Sequence, residues 1–265
     1  MSDYIERNRE LWNDWAEAHV DSDFYDVDSF RDGTTALKHV ELKELGDVRG
    51  NTLLHLQCHF GLDTLSWARE GAVATGVDIS ENAIAIAESL ADELDIDTEF
   101  VCCDVYDTRD HIEETFDIVF ASYGAIPWLN DLKRWAAVVA DSLNDGGRFY
   151  MVEFHPLLRT FDDDGNPFAS NYFFKHDPSE FEVERSYASE DVDDSLKSFE
   201  WAHTIGDIVS ALVAAGLRID FVHEFPYSTY DCFPFLKEID EQQFIIEGLE
   251  FKNVPLMFSI MATRD

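Results

Sequence analysis

The chain has 265 residues, 46% of them hydrophobic, and sets 55 Asp and Glu against 19 Lys and Arg for a formal net charge of −36. That length and apolar content fit one large α/β domain, or one domain with a sizeable insertion, and exclude a disordered acidic chain. No apolar run reaches the roughly 20 residues that cross a bilayer, and the N-terminus (Met-Ser-Asp-Tyr-Ile-Glu-Arg) lacks the apolar core of a secretory signal, so a cytoplasmic protein is expected.

The acids are spread along the chain rather than gathered in a tail. They fit either a specific acidic function or a solvent adaptation. The normal patterning of strands and helices favours the second: a halophilic surface for a cytoplasm of molar salt, where the Debye length shrinks to about 3 Å and self-repulsion is screened. The charge therefore says little about partners, and argues only weakly against nucleic acid. The four cysteines, Cys58, Cys102, Cys103 and Cys232, form no Cys-x-x-Cys and read as free thiols.

In chain order, residues 3–20 predict a helix with Leu11, Trp15 and Ala18 on one stripe. An Asp- and aromatic-rich loop follows, then a helix over 35–45 that Gly46 stops. Strand–helix alternation begins at 52–56 (strand one). A helix at 63–70 and strand two at 73–77 come next. Ser80 caps a helix with Ala83, Ala87, Leu90 and Leu94 on one face. Strands three and four fall at 99–103 and 116–121. A helical stripe through Leu132, Trp135, Ala136, Val139 and Leu143 ends at Asp145-Gly-Gly147, and strand five covers 148–154.

Residues 157–200 change character: acidic, aromatic and alternating through 181–187, as in a small antiparallel insertion. Thr204 and Asp207 form a capping-box pair that opens a helix to Ala215. Strand six is 218–223, a helix is expected near 239–249, and a last strand at 256–262. The organisation predicted is an N-terminal helical cap, 1–46, and an α/β domain, 47–265, carrying the insertion. Alternation argues for a mostly parallel sheet with helices on both faces.

The stretch Thr52-Leu-Leu-His-Leu-Gln-Cys-His-Phe-Gly-Leu-Asp63 runs from strand to tight loop to helix, and the next strand ends on Asp78. This is the order in which a doubly wound sheet holds an adenosine, with an acid at the ribose hydroxyls. With Asp104 after strand three and the Asp145-Gly-Gly turn, it resembles the class I S-adenosylmethionine-dependent methyltransferases of the small-molecule type, over residues 53–264. In that family the first strand usually ends in acid-x-Gly-x-Gly-x-Gly. The matching positions here are His55, Gln57, His59 and Gly61, so only the last glycine is kept.

The resemblance implies a Rossmann-like, doubly wound, mostly parallel seven-stranded sheet and S-adenosyl-L-methionine as cofactor. Asp78 would accept from both ribose hydroxyls and Asp104 from the adenine amino group, while the Val105 N–H meets a ring nitrogen. Gly61 would let the backbone approach the methionine portion, with Gln57 and His59 adding polar contacts. His55 reads either as a stand-in for the acid or as a satisfied core histidine. For Asp78 and Asp104 the bland alternative is a strand-end acid that caps the next helix.

Tyr123, after strand four, would pack beside the sulfonium. His155 after strand five would be a general base, with Glu153 in reserve. Trp12, Trp15 and Tyr25 would form a lid or simply dock the first helix. The insertion's Phe168, Tyr172, Phe173, Phe174, Phe181 and Tyr187 would overhang the site, and residues 225–230 would extend its wall. No metal is expected: His55 and Cys58 alternate to opposite faces, and no second pair has ligand spacing. The acceptor implied is a small molecule, with no membrane and no nucleic-acid platform in view. An NAD(P)-dependent oxidoreductase would also want an acid at Asp78, but the lost glycines and Asp104 count against it. An RNA or protein methyltransferase and a non-catalytic cofactor-binding protein are the remaining alternatives.

Overall fold

The computed structural model describes residues 3–162, 166, 172–183, 185–189, 192, 193, 195–231, 233–240, 242–247 and 254–265. Phe168, Cys232 and the end of the helix expected at 239–249 lie outside them.

Three helices open the chain: α1 (Asp3–Val20), α2 (Val27–Arg31) and α3 (His39–Leu45). The alternating part follows as β1 (Thr52–Leu56), α4 (Leu62–Arg69), β2 (Val73–Asp78), α5 (Glu81–Leu94), β3 (Glu99–Cys102), α6 (Thr108–His111), β4 (Phe116–Ala121), α7 (Leu132–Ser142) and β5 (Leu143–Phe154). The hairpin pair β6 (Ser179–Glu182) and β7 (Lys197–Glu200) lies in the insertion, and α8 (Ile205–Ala214) and β8 (Leu217–Phe225) come after it. A second hairpin, β9 (Leu236–Asp240) and β10 (Gln243–Ile246), precedes β11 (Met257–Arg264).

Seven strands form one sheet in the order β3-β2-β1-β4-β5-β11-β8. The pairs from β3 to β5 are parallel, while β11 runs antiparallel to both β5 and β8. The chain builds outward from β1 through β2 to β3, then restarts on the other side with β4. The crevice at this switch point opens beyond the C-terminal ends of β1 and β4, where such sheets place ligands. Leu53, Leu54, Leu56, Ile118, Val119 and Phe120 are fully buried, as strands covered on both faces require.

Local signals explain most element ends. The Ser80 hydroxyl accepts the Ala83 N–H (3.0 Å) at the start of α5, and Thr204 and Asp207 form the expected capping box on α8. On α5 the stripe of Ala83, Ala87 and Leu90 lets the helix approach the sheet closely. A Cβ on Gly76 would stand 2.7 Å from the Phe100 ring and 2.9 Å from the Cys58 sulfur, so glycine is required there by packing.

Three expectations need correction. The helix expected near 239–249 is the β9–β10 hairpin, closed where Gln242 takes a left-handed φ of 55°. Its Ile239, Ile245 and Ile246 are β-branched, which suits a strand. The helix expected over 35–45 is α3 and begins at His39, because the Ala36 N–H is drawn to the Ser66 hydroxyl (3.0 Å) of α4. Strand β5 begins at Leu143, since its pairing with Phe116 precedes the Gly-Gly turn.

The insertion is tied to α1 rather than left hanging. Asn8 donates to the Phe199 carbonyl (2.7 Å) and accepts the Phe199 N–H (2.9 Å), so its amide pairs with the backbone of β7 as a strand would. This brings the insertion over the crevice.

Candidate functional site

A cavity lies at the switch point, lined from β1 and its loop (His55, Gln57 to Gly61), α4 (Leu62, Asp63), the ends of β2 and β3 (Asp78, Asp104, Val105) and the loop after β4 (Ser122 to Ala125). Trp12 of α1, Tyr25, Trp128, Tyr187 and Tyr230 complete its walls. About 160 Å³ is open to the centre of a water molecule. At roughly 10–15 Å³ per water centre and 30 Å³ of liquid per water, that is about a dozen waters or roughly 360 Å³, within the range of small-molecule sites.

The loop after β1 has an unusual backbone. Gln57 (φ 58°), His59 (φ 52°) and Gly61 (φ 81°) alternate in the left-handed region. The first two are the positions where the resembling family carries glycine. The glycine conformation has been kept while the glycines have not, at a cost of roughly 1–2 kcal/mol per side chain. Surrounding bonds hold the strained loop. The Cys58 N–H reaches the Val77 carbonyl (2.9 Å), the Gly61 N–H reaches the Cys58 carbonyl (3.0 Å), and the His59 N–H reaches Asp78 Oδ2 (2.8 Å). Gln57 Nε2 donates across the crevice to the Ala125 carbonyl (2.9 Å), which leaves its Oε1 buried without a partner.

Gly61 lines the cavity, and packing also requires glycine there: a Cβ would stand 2.7 Å from the Phe100 ring and 2.9 Å from Ala87 Cβ, so the missing side chain makes room for α5 and β3.

Asp78 and Asp104 both line the cavity and are each 9% exposed. Both also cap. Asp78 Oδ1 accepts the Ser80 N–H (2.9 Å), and Asp104 Oδ1 accepts the Tyr106 N–H (3.1 Å). The capping and ligand-facing readings therefore coexist, because a carboxylate has about four acceptor positions and these bonds use only part of them. Burial raises the Asp78 pKa to about 6 against the opposing backbone N–H bonds, and burial raises Asp104 as well. Val105 stands beside Asp104 in the wall.

His55, in the family's acid position, is a satisfied core histidine with a consequence. Its Nδ1 meets the Thr64 hydroxyl (2.8 Å) and its Nε2 the Ser122 hydroxyl (3.2 Å), while Ser122 donates to Asp63 Oδ2 (3.0 Å). Because Ser122 gives its proton to Asp63, it accepts from Nε2, which fixes the neutral Nε2–H tautomer. Burial lowers the His55 pKa to about 3, so the ring stays neutral. The chain of bonds thus ends on a carboxylate, Asp63, supplied from α4. Sequence reasoning missed Asp63, although an acid in the first turn after the loop was a visible signal.

His59 pairs with His19 of α1 (Nε2 to Nδ1, 3.1 Å), and His19 Nε2 meets the Ser186 hydroxyl (2.9 Å) of the insertion. Burial lowers both imidazole pKa values, His19 to about 4. His59 Nδ1 is buried without a partner.

The acceptor-facing residues divide. Tyr123 lines the cavity, and its hydroxyl donates to Glu41 Oε2 (2.9 Å). Glu41 also accepts the Lys38 N–H (2.6 Å) and is fully buried, and desolvation together with the Asp63 charge raises its pKa to about 8. Sequence reasoning did not single out Glu41, because its place at the third residue of α3 reads as a cap.

Glu153 and His155 are not in the wall. Glu153 Oε1 accepts the Gly124 (2.7 Å) and Phe154 (2.7 Å) N–H groups and Oε2 accepts that of Ile126 (3.2 Å), so it pins the loop that carries Tyr123. His155 meets Glu224 of β8 through Nε2 (3.0 Å) and accepts the Leu157 N–H at Nδ1 (3.1 Å). Both ring nitrogens of His155 are thus engaged by β8 and by the Leu157 backbone, and neither His155 nor Glu153 is among the cavity-lining residues.

The N-terminal segment is both dock and cover: Leu11 and Trp15 are buried, while Trp12 and Tyr25 reach the cavity. From the insertion Tyr187 enters the wall, and its hydroxyl meets that of Tyr25. Tyr172, Phe173, Phe174 and Phe181 do not line the cavity, and Phe173 is 73% exposed.

With this geometry in place, comparison with known proteins is informative. Residues 53–147 match a family model described as a methyltransferase domain. That span runs from β1 to the Gly-Gly turn in β5. No curated protein matches the chain. Among solved structures, an S-adenosylmethionine dependent methyltransferase from Mesorhizobium loti is similar at 21% identity, covering 88% of this chain and all of the other, with a TM-score of 0.53. One from Clostridium acetobutylicum is similar at 15% identity, covering 97% and 98%, with a TM-score of 0.56. The magnesium protoporphyrin IX methyltransferase of Synechocystis, solved with bound S-adenosylhomocysteine, is similar at 15% identity over 99% and 100%, with a TM-score of 0.57. At these identities the likeness is one of fold. Among the described residues, no helix is long and apolar enough to cross a membrane.

Proposed function

We propose that the chain is an S-adenosylmethionine-dependent methyltransferase acting on a small molecule. The observation that carries this reading is the placing of Asp78 and Asp104, from neighbouring strand ends, in the wall of one cavity beneath a left-handed loop. The family-model match over this region supports it.

The residues present fit the cofactor. The wall offers two carboxylates with unused acceptor positions for hydroxyl and amino donors, and Gln57 Oε1 is a buried acceptor awaiting a donor. Asp78 would hold the ribose hydroxyls, Asp104 and the Val105 N–H the adenine, and Gln57 with His59 the methionine portion. Once bound, the cofactor supplies an electrophilic methyl group on a sulfonium, which an aromatic wall tolerates.

The protein's part is positioning and exclusion of water. Tyr123 forms part of the acceptor wall, and its bond to Glu41 fixes the ring. Glu153 holds the loop beneath Tyr123, and His155 ties the end of β5 to β8. We assign neither of these two a proton. Residues 1–46 act as a cap, with Trp12 and Tyr25 over the cavity, on the domain formed by 47–265.

Calorimetric titration with S-adenosylmethionine and S-adenosylhomocysteine tests the proposal. It is run in molar KCl, the solvent for which the acidic surface is suited. One-site binding is expected, together with loss of that binding in Asp78→Ala and no binding of NADH. An intact fold that binds neither adenosyl ligand would overturn the reading.

A further inference from the structure

We infer that His19 of the first helix and Ser186 of the insertion fix the proton of His59 on Nδ1, and that this N–H holds the carboxylate of the cofactor's methionine portion. His59 lines the cavity, whereas His19 and Ser186 do not, so these two are positioning residues that act through it. The inference rests on the methyltransferase reading and deepens it.

The protons are fixed from the insertion inward. The Ser186 hydroxyl oxygen accepts the N–H groups of Ala188 (3.2 Å) and Ser189 (2.9 Å), which uses both its lone pairs. His19 Nε2 lies 2.9 Å from that oxygen. The hydroxyl proton is within reach of His19 Nε2 and of the Ser189 carbonyl (3.1 Å). Whichever it chooses, no lone pair is left to receive an N–H from His19, so Nε2 of His19 is unprotonated. His19 is fully buried and burial lowers its pKa to about 4, so the neutral ring carries its one proton on Nδ1.

That proton is donated to His59 Nε2 (3.1 Å). Burial keeps the His59 ring neutral as well, so its own proton is on Nδ1. Edge-on contacts with Trp12 (5.1 Å between ring centres) and Phe60 (4.4 Å) hold the ring in place. Nδ1 is buried, and no described residue is bonded to it. An unpaired buried donor is costly, and a ligand that brings an acceptor relieves the cost.

Gln57, two residues earlier, has the opposite function free. Its Nε2 is spent on the Ala125 carbonyl, and its buried Oε1 is an acceptor without a partner. The two left-handed residues of one loop therefore offer one acceptor and one donor. The ammonium and carboxylate of an amino-acid end are the matching pair. Among the described residues the cavity wall contains no Lys or Arg, so a carboxylate entering it depends on N–H donors. Because α1 and the insertion each supply one link of the chain, the donor is set only while both are docked on the loop.

The test compares two ligands by calorimetric titration of the full chain in molar KCl. One is S-adenosylhomocysteine; the other is S-adenosyl-3-thiopropylamine, which keeps the amine and lacks the carboxylate. The ratio of their affinities reads the carboxylate alone. His59→Phe should lower the ratio roughly tenfold or more. His19→Phe should lower it at least about threefold, with affinity for the amine held within about twofold of the parent. His19→Gln, whose amide can accept from Ser186 and donate to His59, should restore the parent ratio. An unchanged ratio in His59→Phe, or equal losses of both ligands in His19→Phe, overturns the inference. A second measurement reads the parent protein directly: in long-range proton–nitrogen spectra of 15N-histidine-labelled chain, His19 and His59 should both be Nδ1–H, and Nε2–H at either overturns the inference. Failure of both adenosyl ligands to bind would instead overturn the methyltransferase reading beneath it.

Discussion

Replacing Gln57 by glycine should move stability and ligand affinity in opposite directions. In the ligand-free protein Gln57 is held at φ 58°, which costs a side-chain-bearing residue roughly 1–2 kcal/mol. Its Oε1 is buried without a partner, a further cost of about 1–3 kcal/mol. Glycine removes both. Against this stand the lost bond from Nε2 to the Ala125 carbonyl, about 0.5–1.5 kcal/mol, and the greater freedom of glycine in the unfolded chain, about 0.5–1 kcal/mol. The favourable terms are larger, so Gln57→Gly should stabilise the ligand-free protein by about 1–2 kcal/mol. If Oε1 is kept for a charged amino donor of the cofactor, the same substitution removes a bond worth roughly 1.5–3 kcal/mol, or about a ten- to hundredfold loss of affinity. Urea unfolding of the free protein and calorimetric titration with S-adenosylhomocysteine measure the two effects. A Gln57→Gly protein that is less stable than the parent, or that binds the ligand equally well, would refute the reasoning.

Two further outcomes are expected. Gly61→Ala should destabilise the protein by about 2–5 kcal/mol in urea unfolding, since a Cβ there meets the Phe100 ring at 2.7 Å and the backbone is left-handed; a change below about 1 kcal/mol would show that the packing can yield. Affinity for S-adenosylhomocysteine should fall roughly tenfold per pH unit below about pH 6, because Asp78 must be ionised to accept both ribose hydroxyls and its pKa is raised to about 6. The stability contribution of Asp78 has the opposite sign. Its folded pKa lies above the unfolded value near 3.8, so it stabilises the ligand-free fold increasingly as pH falls from about 6 towards 4. An affinity that stays level between pH 8 and 5 would remove Asp78 from the ribose role.

The switch-point architecture was legible in the sequence because it is written in short-range patterns. Strand β1 and the strand-end acids Asp78 and Asp104 follow from apolar runs that stop at polar residues, and the caps at Ser80 and Thr204 from bonds spanning three residues. The hairpin at β9–β10 was missed because its apolar residues, Leu236, Ile239 and Phe244 to Ile246, carry no period of two, and only the pairing of the two segments makes them strands.

The site divided along the same line. Gly61, Asp78 and Asp104 could be named from order along the chain. The left-handed backbone of Gln57 and His59 could not, since neither residue type signals a positive φ, and the bonds that hold it come from Asp78 and Ala125. His155 and Glu153 look like catalytic groups in any linear reading. Only the position of β8, and the donation of the Gly124 and Ile126 N–H groups to Glu153, turn them to other work.

Sequence by itself thus determined where the strands lie and which acids end them, because both depend on neighbours a few residues away. Tertiary structure alone decided which polar atoms are satisfied and which are left facing the cavity. Asp63 reaches Ser122 across 59 positions and Glu41 reaches Tyr123 across 82. At such separations the partner of a buried group is chosen by packing, because an unpaired charge or hydroxyl in the interior is too costly to leave to chance.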